Sequence, residues 1–135
     1  MIHTMVFLDT NICAYFMSRK YPTVTAQFKA RDPQSLHVSA LVAAELAYGV
    51  ELSARVESNR SNLDAFLSML HVVAWDEQAM WHFGRQKARL KKTGTQIGEM
   101  DLLIGCQALA LGATMVTNNT REFERIEGLK MENWV

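Results

Sequence analysis

Short, unbroken apolar runs return along this chain, each separated from the next by a longer stretch of helical period. Met5 to Leu8 is such a run, stopped by Asp9-Thr10-Asn11, and Leu36 to Val38, Val72 to Ala74, Thr114 to Thr117 and Leu129 to Met131 are the others. Between them the spacing predicts helices over Ile12–Met17, Thr23–Ala30, Ala40 to about Ala54, Asn59 to about Leu70, Glu77 to about Lys92 and Glu99–Leu111. Start and stop residues agree: Pro22, Ser39 and Asp76 at the beginnings, Gly94 and Gly112 at the ends. Strands that are apolar throughout, rather than alternating, are covered by helices on both faces. Strands joined through helices need crossover connections, which make a mostly parallel sheet. The expected fold class is therefore α/β. No repeat, low-complexity tract or boundary interrupts residues 1–135, which read as a single domain.

Composition supports that reading and closes several others. A chain of 135 residues, 49% apolar and 21% charged, can bury a core and is too apolar for disorder. Two Pro and seven Gly exclude a collagen-like or linker-rich chain. No apolar run approaches the roughly 18 residues of a membrane-spanning helix, so no membrane is expected. Met1 to Leu8 lacks a basic region and meets Asp9 too early to read as a signal peptide. Cys13 and Cys106 lie in apolar stretches, which points to free thiols in a reducing cytosol. The 14 Lys plus Arg and 14 Asp plus Glu cancel. Domains that bind nucleic acid are usually basic, so the sum alone argues against that partner. The placement of the charges argues the other way.

In doubly wound sheets the functional crevice lies beyond the carboxyl ends of the strands. Asp9 directly follows the first strand, where it either caps a helix or serves a site. Glu45 has Leu41, Val42, Tyr48 and Gly49 at the helical neighbour spacings. A carboxylate on or beside such a face is costly unless paired or bound to a metal. Glu45 therefore meets a distant Arg, lies at the edge of the stripe, or belongs to a site. Asp101 stands in the first turn of an almost wholly apolar helix, beside Ile97, Gly98, Ile104 and Gly105. The helix dipole favours an acid there, and so would a site. Val116-Thr117-Asn118-Asn119 ends a strand at the same edge, as a turn or as part of the same site.

Three carboxylates in one crevice repel, and at least one pKa must rise. A hard divalent cation resolves the conflict, and carboxylates with waters are the ligands Mg²⁺ prefers. No His or Cys falls at zinc-ligand spacing, and His3, His37, His71 and His82 show no pairing pattern. Such sites serve phosphoryl chemistry. No G-x-x-x-x-G-K-S/T sequence is present, which excludes a P-loop. Metal-assisted hydrolysis of a phosphodiester is the expected reaction.

At this point the residues carry a family likeness. Phe7-Leu8-Asp9-Thr10-Asn11, Ala44-Glu45-Leu46-Ala47-Tyr48-Gly49, Gly98-Glu99-Met100-Asp101 and Val116 through Phe123 resemble, in order, the motifs of PIN-domain nucleases. More narrowly they resemble the VapC toxins of bacterial toxin–antitoxin pairs. The likeness covers nearly the whole chain, to Met131-Glu132-Asn133-Trp134. Each motif is short, but four in order at suitable spacing are specific. The resemblance implies a three-layer α/β/α fold and an endoribonuclease that uses Mg²⁺ or Mn²⁺ and inhibits translation. On that resemblance Asp9, Glu45 and Asp101 match the metal-binding acids and Thr117 the supporting hydroxyl. Asn11 matches the residue that orients the first Asp, and Asn119 falls where many PIN domains carry a fourth Asp. The lost charge implies one tightly held metal, or a second recruited only with RNA, and Glu122 is a nearby acid that could supply a carboxylate. The wording of the motifs is similar to that of enterobacterial-type toxins that cleave initiator tRNA in the anticodon stem-loop. A cytoplasmic homodimer and a cognate VapB-type antitoxin, wrapped over the acidic crevice, are also implied.

Arg85, Lys87, Arg89, Lys91 and Lys92 form a basic block with no acid between Glu77 and Glu99. On a helix Arg85, Arg89 and Lys92 share one side, either as a solvated face or as contacts for RNA phosphates near the loop that leads to Asp101. Trp81 and Phe83, just before the block, are expected to pack into the core. Tyr48, Phe66 and Leu70 are either dimer contacts or core residues. Three other readings compete. A phosphoacceptor domain built on Asp9 lacks the neighbouring acid or well-placed Lys it needs. A non-catalytic RNA- or protein-binding PIN module is opposed by the three acids and favoured by Asn119. A housekeeping PIN nuclease of RNA processing would be strongly opposed by an adjacent small antitoxin gene.

Overall fold

The computed structural model describes residues 4–135, so Met1, Ile2 and His3, read above as neither leader nor ligand, lie outside the described residues. Five short strands, β1 (Val6–Leu8), β2 (Leu36–Ser39), β3 (His71–Val73), β4 (Thr114–Val116) and β5 (Lys130–Glu132), form one sheet. Their order is β3-β2-β1-β4-β5, and every pairing is parallel. Helices α1 (Thr10–Ser18), α2 (Pro22–Ala30), α3 (Ala40–Glu51), α4 (Val56–Leu67), α5 (Met80–Thr93), α6 (Glu99–Leu111) and α7 (Thr120–Phe123) flank it. The central strand, Val6-Phe7-Leu8, is wholly buried, which is what its unbroken apolar run requires. From β1 the chain winds outward through β2 to β3, then returns to the other side of β1 for β4 and β5. That reversal opens a crevice between the carboxyl ends of β1 and β4. Among the described residues no helix is long and apolar enough to cross a membrane.

Local chemistry sets the element ends. Ser39 Oγ accepts from the Leu41 amide at 3.0 Å and starts α3 directly after β2. α3 stops at Glu51, short of Ala54, because Ser53 Oγ donates to the Val50 carbonyl and Asn59 Nδ2 donates to Ser53 Oγ. α4 starts at Val56, earlier than the expected Asn59, and β3 lies one residue earlier than Val72–Ala74. The stretch from Glu77 opens as a 3₁₀ turn, Glu77–Ala79, capped by Asp76, before α5 begins. α6 covers Glu99–Leu111 and ends where Gly112 takes φ 66°, a left-handed conformation that favours glycine.

The core gathers on both faces of β1. Phe7, Ile12, Val38, Ile104, Met115, Phe123 and Ile126 are among its fully buried members. Gly105 lets α6 approach the segment after β4: a Cβ there would meet Ile126 Cδ1 at 2.3 Å. Phe66 and Leu70 are buried, whereas Tyr48 is 67% exposed. Phe16 and Phe28 stack at 4.0 Å, and Trp134 meets Phe28 edge-on at 5.5 Å.

Arg31, 5% exposed, holds the C-terminal segment over this cluster. Its guanidinium lies 5.0 Å from the Trp134 ring, donates to Gln27 Oε1 and pairs with Glu132 at 3.3 Å. Arg31→Ala would remove stacking, packing and the pair together. Because Glu132 stays partly solvated, the expected loss is about 2 kcal/mol rather than the larger cost of a fully buried orphan. Thermal unfolding at neutral pH should show a midpoint lower by several degrees, and an unchanged midpoint would refute the clasp.

Candidate active site

β1 ends at the centre of the sheet, and Asp9 turns the chain into α1. Its amide donates to the Val116 carbonyl at 3.0 Å, which joins the ends of β1 and β4. The two carboxylate oxygens do different work. Oδ1 accepts from the Ile12 amide at 2.8 Å and caps α1. Oδ2 accepts from Thr117 Oγ1 at 2.5 Å. Thr117, the first residue past β4, is fully buried, and its hydroxyl also accepts from the Asn119 amide at 2.9 Å. Capping and site readings of Asp9 are therefore compatible. Burial raises the Asp9 pKa and the charge of Glu45 adds to the rise, while the Thr117 hydroxyl and the amides of Ile12 and Asn11 pull it back.

Glu45 comes from the second turn of α3 and is half-buried. No Arg or Lys pairs with it among the described residues. Thr10 Oγ1 donates to Glu45 Oε1 at 2.5 Å and ties α3 to the start of α1. Asp101, in the first turn of α6, completes the group. Burial pushes its pKa up to about 6, and the negative charges of Glu122, Asp9 and Glu45 contribute in that order. Glu122 behaves in the opposite sense. Its oxygens accept from the Gly98 amide at 2.6 Å and from Asn119 Nδ2 at 2.8 Å, which holds the carboxyl below its usual range.

Four carboxylates thus share one field at the switch point of the sheet. Their donors are hard oxygens, the chemistry a Mg²⁺ ion selects. Among the described residues no group of three or more His, Cys, Asp or Glu side chains is gathered closely enough to hold a metal ion as they stand. An ion held here would keep part of its water shell, as Mg²⁺ commonly does. Asp9, Glu45 and Asp101 are the side chains that would hold such an ion once drawn in around it, with Glu122 close enough for its charge to be felt at Asp101.

Several expected contributors sit elsewhere. The Asn11 side chain is exposed and forms no hydrogen bond among the described residues; its backbone amide, not its side chain, supports Asp9. Arg89 is not free for RNA. It donates to Gln86 Oε1 and to the Arg125 carbonyl and pairs with Glu127 at 3.4 Å, so it stitches α5 to the segment after α7. Trp81 does not pack inward: it is 66% exposed, because helical phase sets it opposite buried Leu90. Phe83 does face the core and meets Trp75 edge-on at 6.3 Å. Arg85 and Lys92 are exposed. Thr10, through its bond to Glu45, is a further neighbour of the acids, and its only signal in the sequence is a hydroxyl directly after Asp9.

The parallel five-stranded sheet with an acidic switch point defines a PIN domain, and residues 6–129 match the family model of that description. Ribonuclease VapC2 of Rickettsia felis is 41% identical over 130 residues, spanning 94% of this chain and 96% of the relative. The tRNA(fMet)-specific endonuclease VapC of Salmonella typhimurium is 37% identical over 127 residues, with the same spans of 94% and 96%. In the crystal structure of VapBC2 from Rickettsia felis bound to a DNA fragment from their promoter, one chain superposes with a TM-score of 0.89. It is 36% identical and matches 98% of this chain and 100% of its own length. The chain belongs to the VapC ribonucleases of the PIN-domain family.

Proposed function

We propose that this chain is the toxin of a type II toxin–antitoxin pair and a Mg²⁺- or Mn²⁺-dependent endoribonuclease that stops translation. The observation that carries the proposal is the convergence of Asp9, Glu45 and Asp101, with Thr117 against Asp9, beyond β1 and β4. Initiator tRNA, cut in its anticodon stem-loop, is the substrate we infer, supported by the 37% identical relative named for tRNA(fMet). A VapB-type antitoxin is the partner, supported by neighbours solved as VapBC complexes. Exposed Tyr48 and Leu52 on and after α3 leave that helix free to meet a second copy in a homodimer.

The chemistry a bound Mg²⁺ supplies is polarisation of phosphate oxygens and a lower pKa for attacking water. The chain's own groups prepare that chemistry. Thr117 Oγ1 favours ionised Asp9 by donating to Oδ2, and Thr10 Oγ1 fixes Glu45 Oε1. Asn119 carries no charge; its amide donates to Glu122 and spares the crevice a further repulsion. Without a cation the carboxylates would repel an RNA phosphate, since both carry negative charge.

The test is to incubate purified protein with total tRNA in Mg²⁺, in Mn²⁺ or in EDTA, and to sequence the new RNA ends. Ends in the anticodon stem-loop of initiator tRNA should form with either metal and vanish with EDTA. Cleavage that persists in EDTA would overturn the metal, ends elsewhere the substrate, and no new ends the nuclease itself.

A further inference from the structure

The outer face of α5 carries an arrangement that the acidic crevice leaves unused. At about 100° per residue, Trp81, Arg85, Ala88 and Lys92 fall within a stripe roughly 60° wide, opposite the buried anchor Leu90. All four are exposed. Among the described residues the Trp81 ring stacks on no other ring or cation, and neither Arg85 nor Lys92 joins an ion pair. Their neighbours are committed instead: Lys87 to Glu99 at 2.8 Å, Arg89 to Glu127 at 3.4 Å. An indole left two-thirds in water, beside free cations, is a surface without a partner inside this chain.

We propose that this stripe binds single-stranded RNA, with the Trp81 indole stacked on an unpaired base and Arg85 and Lys92 against the phosphates. The inference rests on the ribonuclease reading and adds a substrate-holding surface outside the crevice. From Trp81 to Lys92 the track is about 16 Å long. The Lys87–Glu99 bridge sets the C-terminal half of α5 beside the first turn of α6, but Lys87 lies about 140° around the helix from Lys92. The stripe is therefore on the side of α5 turned away from that contact and forms a surface separate from the acids. A second copy of the chain is the other occupant an exposed Trp suggests. Charge decides between them. No acid follows Trp81 before Glu99, so two such stripes laid together would oppose like charges. A polyanion instead gains affinity through counterion release, and unpaired bases offer the indole a face.

The probe is a labelled single-stranded RNA of roughly 12 nucleotides without self-complementarity, bound to full-length protein in EDTA. Trp81→Ala should weaken binding about 5- to 100-fold, with Trp81→Phe restoring part of it. Arg85→Ala with Lys92→Ala should lower the slope of log affinity against log salt by about 1.4, whereas Trp81→Ala should leave that slope unchanged. All four positions are exposed, and melting curves matching the unsubstituted protein would show that folding is intact. Unchanged affinity of Trp81→Ala overturns the proposal. So does a shift in sedimentation with RNA binding untouched, which would assign the stripe to a second copy. Binding is read without metal, so loss of cleavage with stripe-dependent binding refutes only the nuclease reading, and the reverse result refutes only the stripe.

Discussion

Asp101→Asn should abolish metal-dependent RNA cleavage and, in the absence of metal, make the protein more stable. The loss follows from removing one of three charges that would hold the ion, and a fall of at least about 100-fold in kcat/KM is expected. The gain follows from the pKa near 6, which states that the folded protein disfavours the ionised carboxyl. The sign is opposite to that of a salt-bridged acid. Below the ordinary carboxylate value both folded and unfolded chains carry the proton and nothing is lost. As pH rises from about 4 through 6 the unfolded chain releases its proton first, so metal-free stability falls across that window. At neutral pH the asparagine variant escapes the penalty. Allowing for partial solvation, the difference is on the order of 1 kcal/mol. Melting in EDTA at pH 7.5 and pH 4 reads it: the variant should melt higher at the first and level with the unsubstituted protein at the second. Added Mg²⁺ should then raise the midpoint of the unsubstituted protein far more than that of the variant. Undiminished cleavage by the variant would remove Asp101 from the site.

The residues that were legible in the sequence were those whose chemistry conflicts with their surroundings. Asp9 after an apolar strand, Glu45 within Leu41–Tyr48 and Asp101 within an apolar helix each raise a desolvation cost that only a partner can offset. α6 was legible because an unbroken apolar segment ends at a glycine with positive φ. Elements shorter than about two turns carry no period, so the 3₁₀ turn Pro33–Ser35 and the four-residue α7 escaped it. Trp81 shows a different failure. Hydrophobicity places it inside, but nine residues separate it from Leu90, half a turn out of phase, and phase prevails. For Arg89 no local signal exists, since its carbonyl partner Arg125 and its acid Glu127 are brought near only by the tertiary fold.

Asp9 offers the sharpest separation of fold from chemistry, because its two oxygens serve different ends. Asp9→Asn keeps an oxygen that can accept from the Ile12 amide, and asparagine caps helices as well as aspartate does. Its amide nitrogen would face the Thr117 hydroxyl, which can accept instead of donate. The charge that burial and Glu45 both disfavour is gone. This variant should therefore melt at or above the unsubstituted protein, yet cleave RNA at least about 100-fold more slowly. Asp9→Ala loses the charge and the cap together. It leaves the Ile12 amide and the Thr117 hydroxyl without their buried acceptor, so it should be about 1–2 kcal/mol less stable than the asparagine variant. Equal melting of the two variants would show that the cap contributes nothing. An asparagine variant that cleaves RNA normally would make Asp9 a helix cap alone and leave the ion without its central holder.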